Sequence, residues 1–84
     1  MDISAQMLIF ATVVEQGSIS AAARSMGQTP SAVSKQIGLL EDHAHYRLLN
    51  RTRTGVSPTQ EGREFYQKCK AMADKFKEAE ALIS

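Results

Sequence analysis

Thr29, Ser31, Ser34 and Lys35 are the residues of this 84-residue chain whose types and spacing could do chemistry. Three hydroxyls and one ammonium fall in the run Thr29-Pro30-Ser31-Ala32-Val33-Ser34-Lys35. Thr followed by Pro predicts a helix start. The Thr hydroxyl accepts from an orphan backbone N–H, and Pro at the first helical position loses no hydrogen bond. Along that helix Val33, Ile37, Leu40 and Ala44 recur at spacings of four, three and four, which makes an inward stripe. Ser31, Ser34, Lys35 and Gly38 share the opposite side. Most surface helices carry long Glu and Lys there; short hydroxyls, one cation and a glycine let another surface approach the helix backbone. Such groups can donate to phosphates and to base edges, and the major groove of B-DNA admits a helix. The same spacing also fits a plain helical hairpin with a sparsely charged second helix, and spacing alone leaves both readings open.

The elements that would hold this face can be read on either side of it. Ser18 is an N-cap candidate, and Ala21, Ala22 and Ala23 favour helix while leaving room for a second helix to pack closely. Gly27 ends that helix. Residues 3–16 read as an earlier helix with Asp2 at its N-terminus, a stripe of Ile3, Met7, Phe10, Ala11 and Val14, and Gly17 as its terminator. Leu8, Ile9 and Val13 lie off that stripe, so this helix is expected to be sandwiched between others, to meet a second copy of the chain, or both. Short extended runs at Leu48–Arg51 and Val56–Pro58 flank Thr52-Arg53-Thr54-Gly55 and predict a two-stranded hairpin packed on the helices.

At these residues the chain resembles the LysR-type transcriptional regulators. Gly17-Ser18-Ile19-Ser20, Ala22-Ala23 and Thr29 through Ile37 look like that family's helix-turn-helix. Leu40-Glu41, Arg47-Leu48, Asn50-Arg51 and Thr59-Gln60-Glu61-Gly62 extend the likeness over nearly the whole chain. The resemblance implies a mainly α fold: a winged helix-turn-helix of three helices and a two-stranded wing in residues 1–58, then a long linker helix in 59–84 through which two copies pair antiparallel on operator DNA. In the family a much larger effector-binding domain follows. No residue of it is present here, so the chain is expected to be an excised DNA-binding domain, with any small-molecule effector acting through a domain outside it. The chain departs from the family at Ala44-His45, where a Leu-Gly pair is usual. Either the helix end shifts or His45 takes a positive φ.

On this reading helix 30–44 enters the major groove with Thr29, Pro30, Ser31, Ser34 and Lys35 at the base edges, and wing 48–58 lies on the flanking backbone or minor groove. Pro30 stands where many family members carry a base-reading glutamine, so part of the half-site is expected to be read through shape. Ser18, Ser20, Arg51 and Arg53 are expected at phosphates. Two-fold symmetry makes the operator pseudo-palindromic. As a bland alternative the wing is a solvated charged loop.

The last helix starts at Ser57 or Thr59, with Ser57-Pro58-Thr59-Gln60 fitting a capping box and the family resemblance putting the cap at Thr59, and from Gln60 the chain runs without proline to Ser84. About 25 residues would span roughly 37 Å. Phe65, Cys69, Met72, Phe76, Ala79 and Ile83 alternate spacings of four and three, a heptad seam that asks for a partner helix. These six are the expected dimerisation residues. Lys68, Lys70, Lys75 and Lys77 interleave with Glu64, Asp74, Glu78 and Glu80, which reads as a salt-bridged, solvated face.

A net charge of +1 is modest for a nucleic-acid binder, but residues 17–57 carry five cations against two acids. One cysteine excludes an intrachain disulfide and fits a reducing compartment, and no signal peptide or membrane-length apolar run is visible, so a cytoplasmic location is expected. His43 and His45, two apart, do not share a helix face and lack a third ligand; no metal or cofactor is expected. An enzyme is disfavoured, since no phosphate loop, ligand cluster or nucleophile–base set is spaced for catalysis. A helical module that binds protein through the heptad seam is the competing class.

Overall fold

Four local caps set where the helices begin. In the computed structural model, which describes residues 2–84, α1 (Ile3–Gln16), α2 (Ile19–Met26), α3 (Pro30–Ala44) and α4 (Gln60–Ala81) each start behind an oxygen-bearing side chain. The oxygens of Asp2, Ser18, Thr29 and Thr59 accept from the N–H groups of Ala5, Ala21, Ala32 and Gly62 at 2.9–3.1 Å. The bond from Ala5, seconded by the Ser4 hydroxyl, holds the Asp2 carboxyl below its ordinary range. Gly17 and Gly27 end α1 and α2 in the left-handed conformation, at φ of 68° and 67°. Where α3 ends, His45 takes the same conformation at φ 66°, and its N–H donates to the Glu41 carbonyl at 2.9 Å. Of the two possibilities at Ala44-His45, the positive φ is the one adopted.

The expected capping box at Ser57 does not form. Thr59 is the cap, and its hydroxyl also donates to the Arg47 carbonyl at 2.9 Å, which ties the start of α4 to the start of the wing. The wing strands are β1 (Leu49–Thr52) and β2 (Gly55–Pro58), paired antiparallel with Leu49 opposite Pro58 and Thr52 opposite Gly55. Against the sequence expectation the first strand is shifted one residue on at both ends and the second begins one residue earlier, because Thr52 pairs with Gly55 and the ladder starts at Leu49 opposite Pro58. The fourth helix stops at Ala81, short of Ser84.

The core gathers Phe10 and Val13 of α1, Ala22 and Ala23 of α2, Val33, Ile37 and Leu40 of α3, Leu48 and Leu49 before and in the wing, and Cys69 of α4. Full burial of side chains of this size is worth about 1.5–3 kcal/mol each for the larger aliphatic and aromatic ones. The first helix packs against all three others, so the sandwiched reading holds, and its packed face is wider than the expected stripe: Phe10 and Ala11 are buried and Met7 and Val14 pack against the core. Ile9 and Val13 are buried whereas Ile3 is 41% exposed. Gln6, also buried, donates to the Gln36 side chain at 3.1 Å and so joins α1 to α3.

The fourth helix joins the core through its first turns only. Gly62 sits against the Leu48 carbonyl so closely that a Cβ there would overlap it. Phe65 is half-buried against Phe10, with ring centroids 5.6 Å apart. One member of the expected dimer seam is thereby corrected: Cys69 is wholly enclosed by its own protomer, while Phe65 is half-buried there. Every residue from Asp74 onward is exposed, and this arm gives the molecule its 40 Å long dimension against 25 and 21 Å.

Candidate nucleic-acid interface

The turn between α2 and α3 presents the residues singled out from the sequence. Thr29, Pro30, Ser31 and Lys35 are exposed and Ser34 is half-buried, so the row of hydroxyls is not covered by the protein's own fold. Val33, Ile37 and Leu40 face the core behind it. The Thr29 oxygen is engaged as the cap of α3, and its hydroxyl lies 3.5 Å from that of Ser31. Ser18 is engaged in the same way as the cap of α2, while Ser20 stays exposed beside it.

The wing reaches this face through Arg51. Its Nη1 donates to Ser34 Oγ at 2.8 Å, which brings β1 and α3 onto one surface. Arg53 is exposed at the hairpin tip, where the Thr52 hydroxyl lies 3.2 Å from that of Thr54 and donates to the Gly55 carbonyl at 3.1 Å. Among the described residues none of Lys35, Arg51 or Arg53 is paired with a carboxylate. Their charge is free to meet an anion.

Sequence reasoning missed the group that fixes the wing's height above α3. The Glu41 carboxylate accepts from the N–H groups of Leu48 and Leu49 at 2.8 and 3.2 Å and lies 3.6 Å from Arg47 Nε. It satisfies two backbone donors where the chain leaves α3. A signal was present, since Leu40-Glu41 belongs to the resemblance, but the residues that Glu41 binds lie seven and eight positions on.

On α4 the seam residues fare differently along the helix. Met72 is half-buried, and Phe76, Ala79 and Ile83 are exposed, Phe76 by 55% and Ile83 by 88%. Burial pushes the Cys69 thiol up to about 11, which keeps it protonated and a poor nucleophile at neutral pH. Lys70 pairs with Asp74 at 3.4 Å and Lys75 with Glu78 at 3.6 Å on the solvated face. Among the described residues no three His, Cys, Asp or Glu side chains gather around a point where a metal ion could sit, and no helix is long and apolar enough to cross a membrane.

Residues 4–63 match the profile of the bacterial regulatory helix-turn-helix proteins of the lysR family. Relatives include the HTH-type transcriptional activator AaeR of Escherichia coli K12, 42% identical over 67 residues that make up 80% of this chain and 22% of AaeR. The HTH-type transcriptional repressor PA14_22550 of Pseudomonas aeruginosa is 36% identical over 83 residues, 99% of this chain and 26% of that protein. The chain thus spans about a quarter of the length of the curated relatives it matches. Among solved structures, the BenM DNA-binding domain in complex with catB site 1 DNA superimposes with a TM-score of 0.88 at 28% identity, covering 99% of this chain and 91% of that one. Full-length LysG of Corynebacterium glutamicum with bound effector Arg gives 0.85 at 26% identity, covering 99% of this chain and 28% of that one. The chain belongs to the lysR family of bacterial regulatory helix-turn-helix proteins.

Proposed function

We propose that this chain is the DNA-binding domain of a LysR-type transcription regulator, with residues 1–58 as the winged helix-turn-helix and residues 59–84 as the linker through which two copies pair. The observation that carries the reading is the Arg51–Ser34 bond, because it joins the wing cation and the hydroxyl face of α3 into one surface that also bears unpaired Lys35 and Arg53. The similarity to a BenM domain crystallised with DNA supports it.

In this reading α3 lies in the major groove. Thr29, Pro30, Ser31, Ser34 and Lys35 face base edges, and Lys35 donates to guanine. Ser18 and Ser20 at the head of α2, with Arg51 and Arg53 of the wing, meet phosphates or the adjoining minor groove. The accessible part of the seam, half-buried Phe65 and Met72 with exposed Phe76, Ala79 and Ile83, takes the twin helix of the second copy, and the two half-sites fall a whole number of helical turns apart. The role is regulatory and not catalytic, and it is exercised in the cytoplasm, where the DNA is. An effector acts through the remainder of the regulator.

Fluorescence anisotropy with mixed genomic DNA at two salt concentrations tests this. Binding that falls steeply with salt is expected, since phosphate contacts release counterions. Absence of binding at low salt, with the chain folded, overturns it in favour of a protein-binding module.

A further inference from the structure

The hydroxyls on the helices of this protein are not in equivalent states. Thr12 Oγ1 donates to the Leu8 carbonyl at 3.1 Å and Ser25 Oγ to the Ala22 carbonyl at 2.9 Å, so both protons are occupied by the helix itself. Thr29 is engaged as a cap. Ser34 differs from all of these. Among the described residues its one hydrogen-bond partner is Arg51 Nη1 at 2.8 Å, and a guanidinium can only donate. Ser34 Oγ is therefore the acceptor of that bond, and its own proton has no acceptor. The proton also cannot point at Arg51, where it would meet another N–H.

We infer that Arg51 is a positioning residue that biases Ser34 toward donating, so that α3 favours at one position a base edge offering an acceptor. A free serine hydroxyl donates or accepts as its surroundings require and discriminates poorly. With one lone pair held by Arg51, the Ser34 proton is satisfied by N7 or O6 of guanine, N7 of adenine or O4 of thymine; an exocyclic amino group of cytosine or adenine can reach only the second lone pair, which leaves that proton without an acceptor and sets another donor beside the guanidinium. The wing thus contributes to sequence selection through the helix, beside any phosphate it touches. The inference rests on the DNA-binding reading proposed above.

A preferred half-site is first selected from random duplexes. Affinities are then measured for all four bases at each position, for 7-deazapurines in place of purines, and for 4-thiothymine in place of thymine. For the wild type, exchanging an acceptor edge for an amino-bearing edge at one position is expected to lower affinity roughly 3- to 10-fold, the range of a single hydrogen bond, with the 7-deaza and thio analogues identifying which acceptor is used. Ser34→Ala should make that position indifferent. Arg51→Ala should bring the same ratio below about twofold, whatever its general loss of affinity. Arg51→Lys, which keeps a donor, should restore part of the ratio. Circular dichroism checks that each variant is folded; Arg51 is exposed, so none should unfold. Retention of the full wild-type ratio in Ser34→Ala or in Arg51→Ala overturns the inference while leaving DNA binding intact. A wild-type chain that selects no duplex overturns the DNA-binding reading itself.

Discussion

The Tyr66 hydroxyl donates to the Glu15 carboxylate at 2.7 Å and so bridges the last turn of α1 and the second turn of α4 across 51 residues. Together with the Phe10–Phe65 contact and the Gly62–Leu48 approach, it fixes the direction in which the fourth helix leaves the domain.

The bond has a pH signature. It raises the Tyr66 phenol from its usual 10.0 to about 12, with burial and the Glu15 charge adding in the same direction. The folded state holds the proton more tightly than the unfolded chain, so the bond's contribution is complete below pH 10 and is lost as pH climbs toward 12. Tyr66→Phe should cost about 0.5–1 kcal/mol at pH 7 in urea denaturation. The gap between variant and wild type should close across that alkaline window.

Gly62→Ala should be far more damaging than its size suggests. The added methyl would run into the Leu48 carbonyl, a backbone group that cannot swing aside. A loss of roughly 3 kcal/mol is expected from such overpacking, measured as a lower denaturation midpoint. Gly38→Ala, where a Cβ meets nothing within 4 Å, should instead stabilise slightly by reducing the freedom of the unfolded chain.

His45→Gly should raise stability. A side chain in the left-handed region costs about 1–2 kcal/mol, while the greater chain entropy of glycine returns about 0.5–1, leaving a net gain near 0.5–1 kcal/mol. Thermal denaturation measures it, and His45→Val should move the midpoint the opposite way.

Two cations of the interface should fail differently. Lys35→Ala should cost roughly 1–3 kcal/mol on the preferred sequence and relax choice at one base pair. Arg53→Ala should weaken all sequences alike and reduce the slope of log affinity against log salt by about 0.9. Titrations of a specific and a scrambled duplex at several salt concentrations separate the two.

The two halves of the heptad seam should also part company. Phe76→Asp places a charge on an exposed face, so the protomer should stay folded while light scattering reports a shift from twice 9.2 kDa toward 9.2 kDa. Cys69→Asp buries that charge in the core and should unfold the chain outright.

These contrasts mark what was legible in the residues alone. Caps reach three positions along the chain, so Asp2, Ser18, Thr29 and Thr59 were all readable as helix starts, Thr59 with help from the family likeness. The inward stripe Val33, Ile37 and Leu40 was readable for the same reason: periodicity is local. Periodicity states that a stripe is covered but not by what, and that is why Cys69 was assigned to a partner helix although its own protomer encloses it. On α1, apolar over much of its circumference, the stripe found Phe10 and Ala11 but left out Ile9 and Val13, which are buried as well. Arg51 and Ser34 were each identified as interface residues, yet their bond spans 17 positions and two elements, and only folding reveals it.

The exposed arm of α4 past Ala73 acts as a spacer with a built-in phase. Each residue added or removed just before Phe76 would move Phe76 and Ala79 by about 1.5 Å and swing them about 100° around the axis. Exchanges of outward side chains leave that geometry alone. Insertions and deletions do not, so this stretch should tolerate drift in composition far better than any change in length.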